Sequence, residues 1–351
     1  MNALNNTESP LVSVIIPVFN SVRYIRRCLD SIVGQSYTNL EILCVDDGSK
    51  DDSSRIIESY QDERITIIRQ ENQGPGTARN NGMDACTGEY ILFFDSDDFL
   101  HPDMIKKMMS KIISERCSMA ICKAFEFDEE SGTAHPMDYS LITEYVPSGT
   151  FTFKDLGDKV LQFAIGWNWD KIYSSKLLKD NGIRYTKSKN SEDLMVAFPA
   201  IFLSERMCYV DDYLIYHVVD NYASVSRTRR KDPTAFIDNS VYLKRFLEDN
   251  NLFSDDVKRS YVNWFLKFAL WHIDTLDDRS KIKAVKSLKK RGLKACSTTS
   301  KYGESYFFDS DNYKRLLNLE RMPGFIFTIH TAWEHYSGTW PIRSIKKFLK
   351  G

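Results

Sequence analysis

The sequence contains no Cys-x-x-Cys pair among its seven cysteines, which argues against zinc-ribbon and dithiol-redox readings. No apolar run approaches the roughly eighteen residues that a membrane-spanning helix needs. The longest stretches, Phe325 to Ile329 and Trp264 to Ile273, are too short or broken by charge. The first ten residues lack a basic start followed by an apolar segment, so no secretory leader is expected and the protein is placed in the cytoplasm. Charge of one sign is also missing: 47 Lys and Arg against 48 Asp and Glu leave a net charge of -1. No global field therefore draws the chain to nucleic acid. No Gly-x-Gly-x-x-Gly follows the first apolar run, which disfavours a dinucleotide oxidoreductase. Cys28, Cys44 and Cys122 lie inside apolar patterns and read as small core residues in a reducing compartment.

What is present is a regular alternation. Val12 to Ile16, Glu41 to Val45, Ile65 to Ile68 and Tyr90 to Phe94 are short apolar runs. Helical periodicities separate them, at Val22 to Ser36, Asp52 to Tyr60 and Thr77 to Ala85, and Pro102 to Ile113 continues the series. Strands that are apolar throughout imply an α/β fold with a mostly parallel sheet covered on both faces. Such sheets bind ligands beyond the carboxyl ends of their strands. Those ends carry Pro17-Val18-Phe19-Asn20, Asp46-Asp47-Gly48-Ser49 and Asp95-Ser96-Asp97-Asp98. Residues from about 125 to 160 read as an irregular excursion. Met207 to Val210 and Tyr213 to Tyr216 read as short strands, and helical periodicity dominates after 231. The expected organisation is a domain over 11–230, with halves at 11–125 and 126–230, followed by a helical C-terminal region over 231–351.

The acidic cluster carries the most chemistry. Three carboxylates in four residues at a strand end repel one another unless a cation joins them. Hard oxygen donors there suit Mg²⁺ or Mn²⁺, ions that usually also hold substrate phosphates. An acidic turn before the helix near Pro102 is the structural alternative.

Four motifs in order resemble glycosyltransferase family 2: Val14-Ile15-Ile16-Pro17-Val18-Phe19-Asn20, Leu43-Cys44-Val45-Asp46-Asp47-Gly48-Ser49, Asn72-Gln73-Gly74-Pro75-Gly76-Thr77-Ala78-Arg79-Asn80, and Phe93-Phe94-Asp95-Ser96-Asp97-Asp98. The resemblance covers roughly residues 11 to 225. It implies the GT-A fold, with a Rossmann-like nucleotide-sugar half and an acceptor half. Pro17, Phe19, Asp46, Arg79, Asp95 and Asp97 are then expected at the nucleotide, with Asp97 and Asp98 at the metal. Phe19 offers a ring for a uracil base, or packs in the core. Asp46 accepts from a pyrimidine N–H, or forms the turn at Gly48; Asp47 could play the same part. Arg79 neutralises a diphosphate, holds the acidic cluster in place, or makes a surface ion pair.

The family's Glu-Asp pair is matched by Glu192-Asp193, which makes Asp193 the expected general base and Glu192 a contact to acceptor or donor sugar. The alternative is a helix start capped by Ser191, with acids favoured by the dipole. Trp169, in Trp167-Asn168-Trp169-Asp170-Lys171, is expected at a sugar, or in the core. His217 is expected to complete the metal or phosphate site, or to be structural. Ile342, Ile345 and Leu349, flanked by Arg343, Lys346, Lys347 and Lys350, form the pattern of a helix lying on an anionic membrane surface, or of one packed on the protein. The implied activity is inverting, metal-dependent transfer from a UDP-sugar to a hydroxyl of a saccharide or lipid-linked saccharide in bacterial surface polysaccharide or lipooligosaccharide synthesis. A sugar-phosphate nucleotidyltransferase is the alternative enzyme, but the Gly- and Lys/Arg-rich loop it would need after the first strand is missing. An inactive nucleotide-sugar-binding protein is the non-enzymatic alternative, although no acidic motif is missing.

Overall fold

A computed structural model describes residues 9–186, 191–219 and 231–324 of the chain. The basic amphipathic segment that ends the chain lies outside the described residues. By internal contacts the chain divides into two compact units, Met1–Arg227 with Tyr242–Ser260, and Thr228–Val241 with Tyr261–Gly351. The first unit thus takes in 242–260, which the sequence pattern groups with the C-terminal region.

The first unit is built on a nine-stranded sheet. Strands β1 (Val12–Val18), β2 (Leu40–Asp46), β3 (Ile65–Arg69) and β4 (Tyr90–Phe93) are parallel in the order β3-β2-β1-β4. All seven residues of β1 are buried, which is why the run is apolar without alternation. Helix α1 (Ile25–Val33) buries Ile25, Cys28, Leu29 and Ile32 at helical spacing. Helix α2 spans Ser53–Glu58 and α3 spans Pro75–Ala85. Helix α3 lies so close to β1 that a methyl group at Gly82 would overlap the Ile15 side chain.

The chain leaves β1 on one side toward β2 and β3, then returns to β4 on the other. This reversal opens a crevice at the carboxyl end of β1. Pro17 helps to open it. The β1–β4 ladder ends at Ile15 and Phe93, so no β4 partner is lost where Pro17 lacks an N–H.

Beyond β4 the sheet becomes mixed. The two-residue strand β5 (Phe99–Leu100) leads into α4 (Met104–Glu115). Strand β6 (Met119–Asp128) turns directly into β7 (Thr133–Met137), so an antiparallel hairpin begins the segment expected to be irregular. Its charged, largely exposed tip hid the strand pattern. Strand β8 (Lys171–Ser174) runs antiparallel between β4 and β6. Helices α5 (Ser175–Asp180) and α6 (Leu194–Leu203) follow. The two short strands expected near 207–216 are one strand, β9 (Met207–Val219). Register shifts around Lys123 let the exposed Asp211 and Asp212 bulge out without ending the β6–β9 ladder.

The second unit is helical among its described residues. Helix α7 (Ala235–Asp249) and helix α8 (Asp255–Thr275) each straddle the division between the units. Helices α9 (Asp278–Ser287) and α10 (Ser310–Arg321) lie wholly in the second.

Candidate active site

The crevice is walled by loops that are tied to one another. Asn20, at φ 49°, accepts from the Lys50 backbone N–H at 2.7 Å, and its own N–H donates to Ser49 Oγ at 3.1 Å. Asp51 accepts from Val22 N–H at 3.1 Å. Ser21 and Ser96 hydroxyls meet at 2.7 Å, joining the β1 loop to the acidic loop. Pro17 is buried within β1, while Phe19 at its end is 47% exposed, so the ring is available to a flat partner.

Asp46, the last residue of β2, and Asp47, just beyond it, have different partners. Asp46 accepts from Ser49 N–H at 2.9 Å and from the Ser54 hydroxyl. Burial works to raise its pKa, but those hydrogen bonds and Arg69 prevail and hold it below the usual range. Asp47 accepts from Gln73 N–H and Gly74 N–H, both at 2.8 Å, and from Gln70 Nε2 at 2.7 Å. It therefore clamps the turn that starts α3, where Gly74 takes φ 91°.

Arg79, on α3, is the hub of the site. Its side chain is 6% exposed. Nη2 donates to Asp95 Oδ1 at 2.5 Å and Nη1 to Glu192 Oε1 at 3.2 Å, with Asp193 Oδ1 at 3.5 Å. The guanidinium lies 5.1 Å from the centre of the Tyr185 ring. Neighbouring Asn80 fastens that ring's segment to α3, through Nδ2 to Tyr185 O at 2.9 Å and Oδ1 to Tyr185 N–H at 3.0 Å. Of the readings open to Arg79, the arrangement matches a cation that holds acids together.

Asp95, Asp97 and Asp98 each offer an oxygen, and these lie within 4.8 Å of one another. An all-carboxylate set at that spacing fits a hard divalent cation. Asp98 is fully buried and also ties the loop to β9. It accepts from Val218 N–H at 2.8 Å and sits 3.0 Å from His217 Nδ1. Burial would lower the His217 pKa, but the Asp98 carboxylate beside it pushes it up to about 9. The imidazole thus faces the acids as a cation. It stacks on Trp169 at 5.2 Å, and Trp167 stacks on Trp169 at 4.8 Å. Trp169 is only 3% exposed. Its contact with a sugar is therefore corrected to a supporting role beneath His217; Trp167 is only partly buried.

Glu192 and Asp193 follow Ser191, which takes φ 59°. Ser191 does not cap α6; Asp193 occupies that position, and its side chain makes no cap hydrogen bond. Instead its Oδ1 accepts from Asn168 Nδ2 at 2.9 Å. Burial and the neighbouring Asp193 push Glu192 up to about 7, against the opposing pull of Arg79. Burial also raises Asp193, with Arg79 opposing and Asp95 reinforcing. Tyr173 and Tyr185 carried no distinguishing sequence signal; Asn168 lay in the segment expected near a sugar, and it is the fold that brings it to Asp193.

Residues 13–179 match the family model described as Glycosyl transferase family 2. A Bacillus subtilis protein named as a glycosyltransferase, EpsH, is 33% identical over 230 residues, covering 64% of this chain and 65% of that one. Glycosyltransferase GlyA of Streptococcus pneumoniae is 34% identical over 209 residues, covering 58% of this chain and 30% of that one. The chain thus spans less than two thirds of the length of either relative. Among solved structures, S. aureus TarS with UDP aligns with a TM-score of 0.51 at 23% identity, covering 88% of this chain and 90% of that one. The Pyrobaculum calidifontis mannosyltransferase PcManGT with GDP-Man and Mn²⁺ aligns at 0.54 and 17%, covering 96% and 90%. These likenesses show the GT-A fold.

Proposed function

We propose that this chain, whose residues 13–179 belong to glycosyltransferase family 2, transfers a sugar with inversion from a UDP-sugar to a hydroxyl of a saccharide acceptor in bacterial surface polysaccharide synthesis. In this reading the uracil stacks on Phe19 beyond Pro17, Asp46 accepts from its N–H, and Asp95 takes the ribose. A divalent cation, Mn²⁺ or Mg²⁺, held by Asp97 and Asp98, would offset the charge on the departing diphosphate. The acceptor hydroxyl attacks the anomeric carbon from the opposite face. As the new carbon–oxygen bond forms, the bond to the diphosphate breaks and its electron pair leaves with UDP. The hydroxyl proton passes to Asp193. Glu192, close to half protonated near pH 7, can donate to or accept from a sugar hydroxyl.

The observation that carries this reading is Arg79. One guanidinium bonds both Asp95, on the proposed nucleotide side, and the Glu192–Asp193 pair. Donor and base are thereby held in one site although they lie far apart in the chain. The TarS structure with UDP and the PcManGT complex with GDP-Man and Mn²⁺ support a nucleotide-sugar donor and a divalent ion. No described helix is long and apolar enough to cross a membrane. A lipid-linked acceptor would be met by a cytoplasmic protein lying peripherally on an anionic membrane surface.

The test is a panel of UDP-sugars scored for UDP release with Mn²⁺ and with chelator, using wild type and Asp193→Asn. Release with one donor is expected, abolished by chelator and by the substitution, while UDP affinity stays near wild type. Wild-type turnover in Asp193→Asn overturns the base assignment.

A further inference from the structure

The geometry points to Asn168 as a positioning residue that selects which oxygen of Asp193 receives the acceptor proton, an inference that rests on Asp193 being the base proposed above. Asn168 is 1% exposed and sits in the loop before β8. Its Nδ2 faces two acceptors on one residue, Asp193 Oδ1 at 2.9 Å and Asp193 O at 3.2 Å. Its Oδ1 accepts from the Tyr173 hydroxyl at 2.7 Å. With acceptors on the nitrogen side and a phenol on the oxygen side, the amide has one satisfying orientation.

The loop that carries Asn168 is itself fastened. Lys171, fully buried on β8, donates from Nζ to Ile165 O and Trp167 O at 2.8 Å each and pairs with Asp170 Oδ1 at 2.6 Å. That ammonium folds the chain around Asn168 from behind. The line from sheet to base is therefore Tyr173, Asn168, Asp193, with Lys171 bracing the bend.

The consequence is an asymmetry between the two carboxylate oxygens. Asp193 Oδ1 is held by Asn168 and faces Arg79 Nη1 at 3.5 Å. Oδ2 has no hydrogen-bond partner among the described residues. Oδ2 is thus the oxygen left to take the proton, while Oδ1 is pinned so that the carboxylate cannot rotate. A neutral amide suits this task, because it stabilises the carboxylate without adding a charge. The charged and titratable groups around Asp193 are Arg79 from α3, Asp95 after β4, Glu192 beside it, Asp170 just before β8, Lys171 and Tyr173 on β8, and Tyr185 under Arg79.

Asn168→Asp keeps the shape and replaces the donor with a second acid, which competes for the proton and withdraws the base. With the UDP-sugar found in the panel, kcat should fall roughly 10- to 100-fold, the range over which positioned proton transfer contributes. KM for the donor and calorimetric affinity for UDP with Mn²⁺ should stay within about twofold, because Asn168 touches none of the proposed nucleotide residues. The acid limb of the kcat–pH profile should move up by about one unit. Tyr173→Phe, which retains the ring and removes the donor to Asn168, should lower kcat several-fold with a smaller shift in the same direction; it decides the matter should Asn168→Asp not fold. Wild-type kcat with an unmoved acid limb, or a loss confined to UDP affinity, overturns the inference. Asp193→Asn separates the two levels: if it is inactive while Asn168→Asp is normal, only the positioning role falls; if it is active, the base assignment itself falls.

Discussion

Replacing Glu192 with Gln should make the protein more stable above neutral pH. Glu192 is 5% exposed, and its folded-state pKa is about 7 against an ordinary 4.5. A carboxyl whose pKa is raised on folding favours the native state when protonated. Below pH 4.5 both states hold the proton and there is no penalty. Between about 4.5 and 7 the unfolded chain loses the proton first, so stability falls as pH rises. Above 7 the penalty is complete. A shift of about 2.5 units at about 1.4 kcal/mol each puts it near 3 kcal/mol at pH 8 and below about 1 kcal/mol at pH 5. Gln keeps an oxygen for Arg79 Nη1 and never ionises. Scanning calorimetry of wild type and Glu192→Gln, without nucleotide and in chelator, should show the variant melting higher at pH 8, by about 4 °C for a chain of this size. At pH 5 the two should nearly coincide. Equal gains at both pH values, or no gain at pH 8, would refute the reasoning. Activity should move the other way, since a side chain that destabilises the fold and lies beside the proposed base is retained at a cost to stability.

Arg79→Met leaves Asp95, Glu192 and Asp193 without their shared cation and should cost roughly 3–5 kcal/mol at pH 8. The loss should shrink at pH 5 as Glu192 and Asp193, both raised by burial, take up protons, and a loss independent of pH, read by the same melts, counts against the hub. Asp47→Ala removes the acceptor for Gln73 N–H, Gly74 N–H and Gln70 Nε2. It should cost about 2–4 kcal/mol and speed proteolytic cleavage near 70–74; an unchanged cleavage rate would mean the turn is held by something else.

The parallel half of the sheet was legible because burial on both faces leaves β1 and β2 few polar positions. Val12–Val18 and Leu40–Asp46 are apolar nearly throughout for that reason. Strand β8 was not legible. Lys171 lies fully buried in a central strand, a placement no periodicity suggests, and is tolerable only because Ile165 O, Trp167 O and Asp170 surround its ammonium. The acidic loop announced itself through the cost of crowding three carboxylates. Arg79 was named through its motif, but its partner was not, because Glu192 is 113 residues away and nothing local pairs the two. The difference between Asp46 and Asp47 needed the fold as well: only the structure shows that Asp47 clamps the Gln73–Gly74 turn while Asp46 is held by Ser49 and Ser54.

Asp193 shows why such conflicts between local and global structure locate a site. Asp is among the best helix-capping residues, and a cap of this kind is worth about 1 kcal/mol. Here an Asp stands at the capping position of α6, adopts helical dihedrals and makes no cap bond. Its carboxylate turns instead toward Asn168 and Arg79, in surroundings where burial opposes its charge. Burial opposes the charge on this carboxylate, and Asn168 and Arg79 are the groups that hold it. Held through Asn168, with a buried lysine behind that loop, the carboxylate stands as the proposed base would have to stand for an incoming hydroxyl.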